Sequence, residues 1–398
     1  MNKISSLLLF TVLLSSGCHY LPFIKYYGTD KKTGFPRFSK KRIQKDAVLA
    51  QHTYDVVAYD WHVKVNPKKK HISSTMAITF DLFERQDTIV FNLQNNFKIK
   101  SIQADFSIKK WMHKKHLIYV ISATELPLSE RKTITITYEG KPVNVAGEGP
   151  IQWTKDTHGR PWISTQTQGI GTHMMMPCKQ LLYDESKWCK IKVEVPNGLV
   201  AVANGKLDSI SKSPTTNTYH WSVNNPINIY NISFNIGDYS SFDKPYLDVQ
   251  NTDRKLRVYT LKSDQDTLSK FYDQLPVHMK TLEELFGAFP WWNDECKIVQ
   301  STLENSAMEH QSAISMGSIM SNDYRPRDTT FHINTTLAHE LAHEWWGNNV
   351  TGKDFCDAWL HEGFATYAEA LVIEKIYGAG NYGGYINSLA RWTQNKRA

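Results

Sequence analysis

Apolar and polar residues alternate over much of the first half of the chain. In YDWHVKV, Tyr59, Trp61, Val63 and Val65 fall on one side; in TMAITFDL, Met76, Ile78, Phe80 and Leu82 do. The period of two recurs in KTITITY (Ile134, Ile136, Tyr138), KIKVEV (Ile191, Val193, Val195) and YNISFNI (Tyr230, Ile232, Phe234, Ile236). Successive side chains of a strand point to opposite faces, so this pattern predicts strands with one buried face. Its repetition between Gly, Pro and Asn turns predicts an all-β sandwich or saddle over residues 51–243. From residue 244 the pattern changes. After one short strand (KLRVYTL), Leu268, Phe271, Tyr272, Leu275, Met279, Leu282 and Phe286 follow helical spacing, with Ser263 or Asp264 as cap, Gly287 past the end and a kink at Pro276. Two further helices are predicted, over about Asn334–Trp346 and about Ala358–Tyr377, the second with Asp357 as candidate cap and Gly378 beyond it. The expected fold class is α+β and multidomain: a β domain, then an α-rich domain over 244–398.

Composition narrows this picture. A chain of 398 residues exceeds one ordinary domain, and 41% hydrophobic with 21% charged residues is a globular mixture. The net charge of +7 is spread thinly, with only NPKKKH and SKKR as basic runs, so no nucleic-acid partner is expected. The opening MNKISSLLLFTVLLSSGC joins a basic Lys3, an apolar run from Leu7 to Leu14 and small residues up to Cys18. That is the layout of an export signal over residues 1–18, too short for a membrane span. LLSSGC resembles a bacterial lipoprotein box, which implies lipidation of Cys18 and a membrane anchor facing the periplasm or cell surface. Residues 19–50 read as a tether. Cys178, Cys189, Cys296 and Cys356 remain; four cysteines allow three pairings, and the sequence does not choose among them.

The chemistry concentrates in LAHELAHEWWGN, Leu337–Asn348. Four residues on a helix advance about 6 Å and slightly more than one turn, so His339 and His343 face the same way and both reach one metal ion. Glu340 lies beside that ion, placed to take a proton from water. Catalytic zinc takes three protein ligands and keeps one position open. Glu362, in DAWLHEGFATYAEA and separated from His343 by eighteen residues, is the candidate third ligand. Its apolar neighbours suit a helix with a buried face, and a carboxylate on such a face needs a partner, which a cation supplies.

HELAH, eighteen residues and then WLHEGFA resemble the gluzincin aminopeptidases, the aminopeptidase N and leukotriene hydrolase type; His361 stands where Asn is usual. The resemblance implies one Zn2+ on His339, His343 and Glu362, with Glu340 as general base. It also implies peptide substrates with a free N-terminus and a thermolysin-like catalytic domain. ENSAMEHQSAI resembles the family's GAMEN motif, with Ser306 for Gly and His310 for Asn. By that resemblance Glu309 holds the substrate ammonium, and the backbone at Ala307 and Met308 lines the substrate. WISTQTQGIGTHMMMPC resembles a third family segment, in which Gln168 helps hold the amine; Gln166 shares its face if the segment is extended. The family's acidic continuation after PC is replaced here by Lys179-Gln180.

The family's oxyanion-stabilising tyrosine falls beyond Ala398, so the catalytic domain is expected to be incomplete at its C-terminal end, with exposed apolar faces on the Ala358–Tyr377 helix. Two other functions stay open: a zinc- or peptide-binding lipoprotein without turnover, and a zinc endopeptidase. Of the remaining candidates, Glu344 reads as a salt-bridge or surface residue, and Asp357 and Glu369 as partners of the histidines or, for Asp357, a cap. His310, His332 and His361 read as polar packing, Cys356 as no ligand, and Met174–Met176 as packing or pocket lining.

Overall fold

The computed structural model describes residues 47–128, 130–143, 149–317, 323–324, 326, 332–353 and 355–392. The export signal, Cys18 and most of the tether lie outside the described residues. The described chain forms two compact units, divided between Asp238 and Tyr239. Among the described residues no helix is long and apolar enough to cross a membrane.

The first unit is built of sheets. Its largest has seven strands, in the order Lys206–Lys212, Thr216–Val223, Trp188–Pro196, Tyr54–Asn66, His71–Leu82, Lys132–Gly140, Lys98–Ala104. The predicted inward residues meet in register: Ile191 pairs with Trp61, Trp61 with Met76, and Met76 with Ile136. This row crosses four strands, and each of its members is fully buried. A four-stranded and a three-stranded sheet complete the unit. One predicted strand is shorter than expected. Tyr230 lies in a 3-10 turn (Ile229–Asn231), and the strand runs only over Phe234–Gly237. The Thr172 and Thr167 hydroxyls donate to the Ile229 and Tyr230 carbonyls, which holds the turn out of the sheet.

Lys179, one of the two residues that replace the acidic continuation, is fully buried. Its ammonium pairs with Asp184, donates to the Tyr54 carbonyl and stands 4.7 Å from the Tyr54 ring centre. Asp184 Oδ1 also accepts the Val56 N–H at 3.2 Å. Burial lowers the Lys179 pKa and raises that of Asp184, each against the attraction of the other. Cys178, Cys189, Cys296 and Cys356 are all free thiols.

The second unit opens with a five-stranded sheet where one strand was expected. Its strands are β1 (Tyr239–Leu247), β2 (Asp253–Leu261), β3 (Cys296–Gln300), β4 (Ala307–Met308) and β5 (Ala313–Met316), in the order β1-β2-β3-β5-β4. The short β4 is therefore an edge strand. The expected long helix is divided rather than kinked, into α1 (Gln265–Phe271), a 3-10 turn and α2 (Leu275–Phe286). Pro276 sits in the first turn of α2, where its missing N–H has no bond to lose. Asp264 occupies the N-cap of α1 without capping it; its carboxylate instead accepts from Ser263 Oγ and Gln300 Nε2, both at 2.7 Å.

Three helices follow: α3 (Thr335–Ala342), α4 (Ala358–Tyr377) and α5 (Ala379–Trp392). Asn334 caps α3, its Oδ1 accepting the Leu337 N–H at 2.9 Å. The helix ends four residues earlier than predicted. Glu344 and Trp345 N–H bond to carbonyls three residues back, and Gly347 turns away at φ 123°. Leu337, Ala338, Leu341 and Ala342 share a core with Ala365, Ala368 and Val372 of α4. Asp357 occupies the N-cap of α4 but makes no capping hydrogen bond. The expected exposed apolar face of α4 is not found. Trp359, Leu360, Phe364 and Leu371 are half-buried, and Phe364 stacks on Trp346 at 4.7 Å.

Candidate metal centre

Helix α3 delivers His339 and His343 to one side, as four-residue spacing requires, and α4 brings Glu362 against them. The two Nε2 atoms lie 3.0 Å apart, and Glu362 Oε2 lies 3.3 Å from His339 Nε2 and 3.7 Å from His343 Nε2. Ligands at 2.0–2.1 Å from a tetrahedral zinc are separated by about 3.3 Å, so the three atoms frame a site of that size.

The outward ring nitrogens fix the inward ones. His343 Nδ1 faces the Trp346 carbonyl at 2.9 Å, and a carbonyl only accepts, so Nδ1 carries the proton. His339 Nδ1 faces Glu369 Oε1 at 2.8 Å, with the same consequence. Both Nε2 atoms then face each other and a carboxylate, an arrangement that protons or a metal cation resolve. The surrounding charges point the same way. Burial disfavours a charged His343, but Glu309 and Glu362 outweigh it and raise its pKa to about 9. Burial likewise opposes charge on His339, and Glu362 and Glu369 raise it well above the ordinary value. Glu362 is desolvated too, yet the two imidazoles hold it well below the carboxylate range. The residues present therefore fit one divalent cation.

A second group of convergent ligand atoms, Glu309, Glu340 and His343, overlaps the first through His343. Neither group includes His310, His332, His361 or Cys356. Glu309 follows the edge strand β4, whose Ala307 and Met308 are buried, Ala307 within the hydrophobic core of the unit. Burial raises the Glu309 pKa to about 7, with Glu362 and Glu340 adding to it and His343 opposing.

The surface reading of Glu344 fails. It is fully buried, its Oε1 accepts the Ser312 N–H at 2.8 Å and its Oε2 accepts from Asn348 Nδ2 at 3.1 Å. The same Asn348 amide donates to the Glu309 carbonyl at 2.8 Å. Glu344 and Asn348 thus tie the end of α3 to the loop after β4. Nothing in HEWWGN marks this role, since the partners lie more than thirty residues away in sequence. His361 is buried, and its Nε2 accepts the Gly352 N–H at 2.7 Å; burial lowers its pKa to about 4. A Cβ on Gly347 would lie 3.2 Å from both His343 Nδ1 and His361 Cγ, so the backbone there passes close against both rings. His310 is buried and bonded to Ser315 Oγ at 2.9 Å. Gln168 belongs to the first unit. The strand ends at Thr165, and Gln168 lies in a turn closed by the Gly171 N–H on the Thr167 carbonyl, so the extended run that would set Gln166 and Gln168 on one face is not formed. Met174, Met175 and Met176 are core residues.

The family model for the peptidase M1 N-terminal domain matches residues 56–230, and the model for the peptidase family M1 domain matches residues 272–397. Human aminopeptidase B is 25% identical over 258 residues, covering 63% of this chain and 36% of that protein. Leucine aminopeptidase 2 of Kluyveromyces lactis is 24% identical, covering 95% of this chain and 57% of its own length. The chain thus spans between a third and just over half of these relatives. Among solved structures, an M1 zinc metallopeptidase from Deinococcus radiodurans superposes with a TM-score of 0.69 at 21% identity, covering 82% of this chain and 72% of that one. Yeast LTA4 hydrolase superposes with 0.68 at 21% identity, covering 86% and 52%.

Proposed function

This chain belongs to peptidase family M1, and from that premise we propose that it is a zinc-dependent aminopeptidase acting on peptides with a free N-terminus. The observation that carries the reading is the overlap of two ligand groups: His339, His343 and Glu362, and Glu309, Glu340 and His343. When bound on the first set, zinc supplies Lewis-acid polarisation of the scissile carbonyl and a lower pKa for water. Glu340 then takes the proton from the attacking water and delivers it to the leaving amine. Glu309 offers a carboxylate to the substrate's α-ammonium, while the edge strand at Ala307 and Met308 lies alongside the first residue. A carboxylate this close to the hydrolytic groups favours removal of terminal residues over internal cleavage.

The test is turnover of aminoacyl-anilides by the full chain, with loss of activity expected on chelation and in Glu340→Ala. One zinc per chain with no turnover would leave a binding protein instead. Efficient cleavage of N-acetylated peptides would make it an endopeptidase.

Export as a lipoprotein acylated at Cys18 is part of the same proposal, supported by the run from Lys3 to Cys18. Labelled fatty acid should enter the expressed chain and be absent from Cys18→Ala; equal labelling of both would refute the anchor.

A further inference from the structure

The outer helix α5 contributes no donor to the ligand set, yet one of its side chains reaches it through a single intermediary. We infer that Tyr385 is a positioning residue for the metal centre: its hydroxyl donates to Glu369 Oε2, while Glu369 Oε1 faces His339 Nδ1. The inference rests on the zinc reading above.

The geometry behind it begins on α4. Glu362 and Glu369 are seven residues apart, two helical turns, and so lie on one face. The His339 ring spans the gap, with Nε2 toward Glu362 at 3.3 Å and Nδ1 toward Glu369 at 2.8 Å. The orientation of the first ligand therefore depends on where Glu369 points. A carboxylate held by one oxygen swings about its own side-chain torsions; a second hydrogen bond, on the other oxygen, removes that freedom. Donation from Tyr385 also draws charge away from the oxygen facing His339. The ring proton then stays on Nδ1, and Nε2 stays a lone pair for the metal.

Helix α5 packs on α4. It includes Gly380, Gly383 and Gly384, each costing about 1 kcal/mol relative to Ala in a helix, and none of its described residues is fully buried. Tyr385 packs against the core of the unit. One turn earlier, the Tyr382 hydroxyl lies 3.4 Å from that of Tyr367 and ends there. Tyr382 is thus a matched control on the same helix, a hydroxyl contact without a path to a ligand.

The experiment is a zinc competition titration against a chromophoric chelator, run on the full chain and its variants, with the visible spectrum of the cobalt-substituted protein as a second readout. Tyr385→Phe should weaken zinc binding by about 10-fold, the scale of outer-sphere changes, and should alter the cobalt spectrum. Tyr382→Phe should do neither. In a Glu369→Gln background, Tyr385→Phe should have no further effect. Wild-type affinity in Tyr385→Phe, full additivity with Glu369→Gln, or an equal loss in Tyr382→Phe overturns the inference. So does a fall in zinc-free thermal stability that matches the loss of affinity, because Tyr385 then acts on the fold alone. A wild-type chain that binds no zinc refutes the metal reading itself. Wild-type binding with an unaltered Tyr385→Phe refutes only the role of Tyr385.

Discussion

In the first unit, Lys179 and Asp184 bury one charge of each sign against the other, with a carbonyl, an N–H and an aromatic ring around them. In the second, Glu309, Glu340, Glu362 and Glu369 are all buried about two imidazoles. The first cluster is complete within the chain; the second carries more acid than its histidines balance. A buried pair closed on itself contributes architecture, in this case holding the 179–184 segment to the strand at Tyr54–Val56. A buried excess of one sign is relieved by protonation, toward which burial pushes Glu309, or by a bound cation. That difference separates a structural polar cluster from a functional one without reference to any motif.

Single substitutions sharpen the contrast. The largest effect on stability is expected from Lys179→Met, which leaves Asp184 buried without its cation and should cost about 3–5 kcal/mol in urea unfolding of the first unit. The double variant Lys179→Met/Asp184→Leu should recover most of that loss. A single variant within about 1 kcal/mol of wild type would show that the pair is not closed in the way described. The second unit should answer in the opposite sense. In zinc-free protein, Glu340→Gln removes one like charge and should leave stability unchanged or raise it by about 1 kcal/mol. With zinc, the same change should cut peptide turnover by about 10²–10⁴-fold. Clear destabilisation of the zinc-free variant in thermal melting would mean that the cluster is balanced after all.

Legibility in the sequence follows the range of the interactions. Trp61, Met76, Ile136 and Ile191 could be read because a strand's period is local, and their cross-strand row followed from it. His339 and His343 could be read because helical spacing alone makes them neighbours. Glu362 needed one further step, a turn between two helices. What stayed hidden depends on contacts between distant segments whose residue types carry no periodicity. Glu344 looks like one more charge on a polar helix until Ser312 and Asn348 are seen to bind it. Lys179 looks like a surface lysine until the strand at Tyr54 closes over it. Tyr385 has an unremarkable sequence context, and only the packing of α5 on α4 brings it to Glu369. The division of the long helix at Tyr272–Gln274 was hidden for another reason. Apolar spacing continues straight through the break, so periodicity reports the buried face and not the hydrogen-bond ladder.

Asn348 has a consequence on the scale of the substrate. Its one amide nitrogen holds both the Glu344 carboxylate and the Glu309 carbonyl. The segment at the end of α3, which follows the proposed hydrolytic groups, is therefore tied to the backbone of the residue proposed to grip the peptide's first nitrogen, and together they form a gauge. On the aminopeptidase reading, that gauge counts one residue and stops. The length of what is cut off is set by the distance between two anchors, and not by the shape of any side-chain pocket.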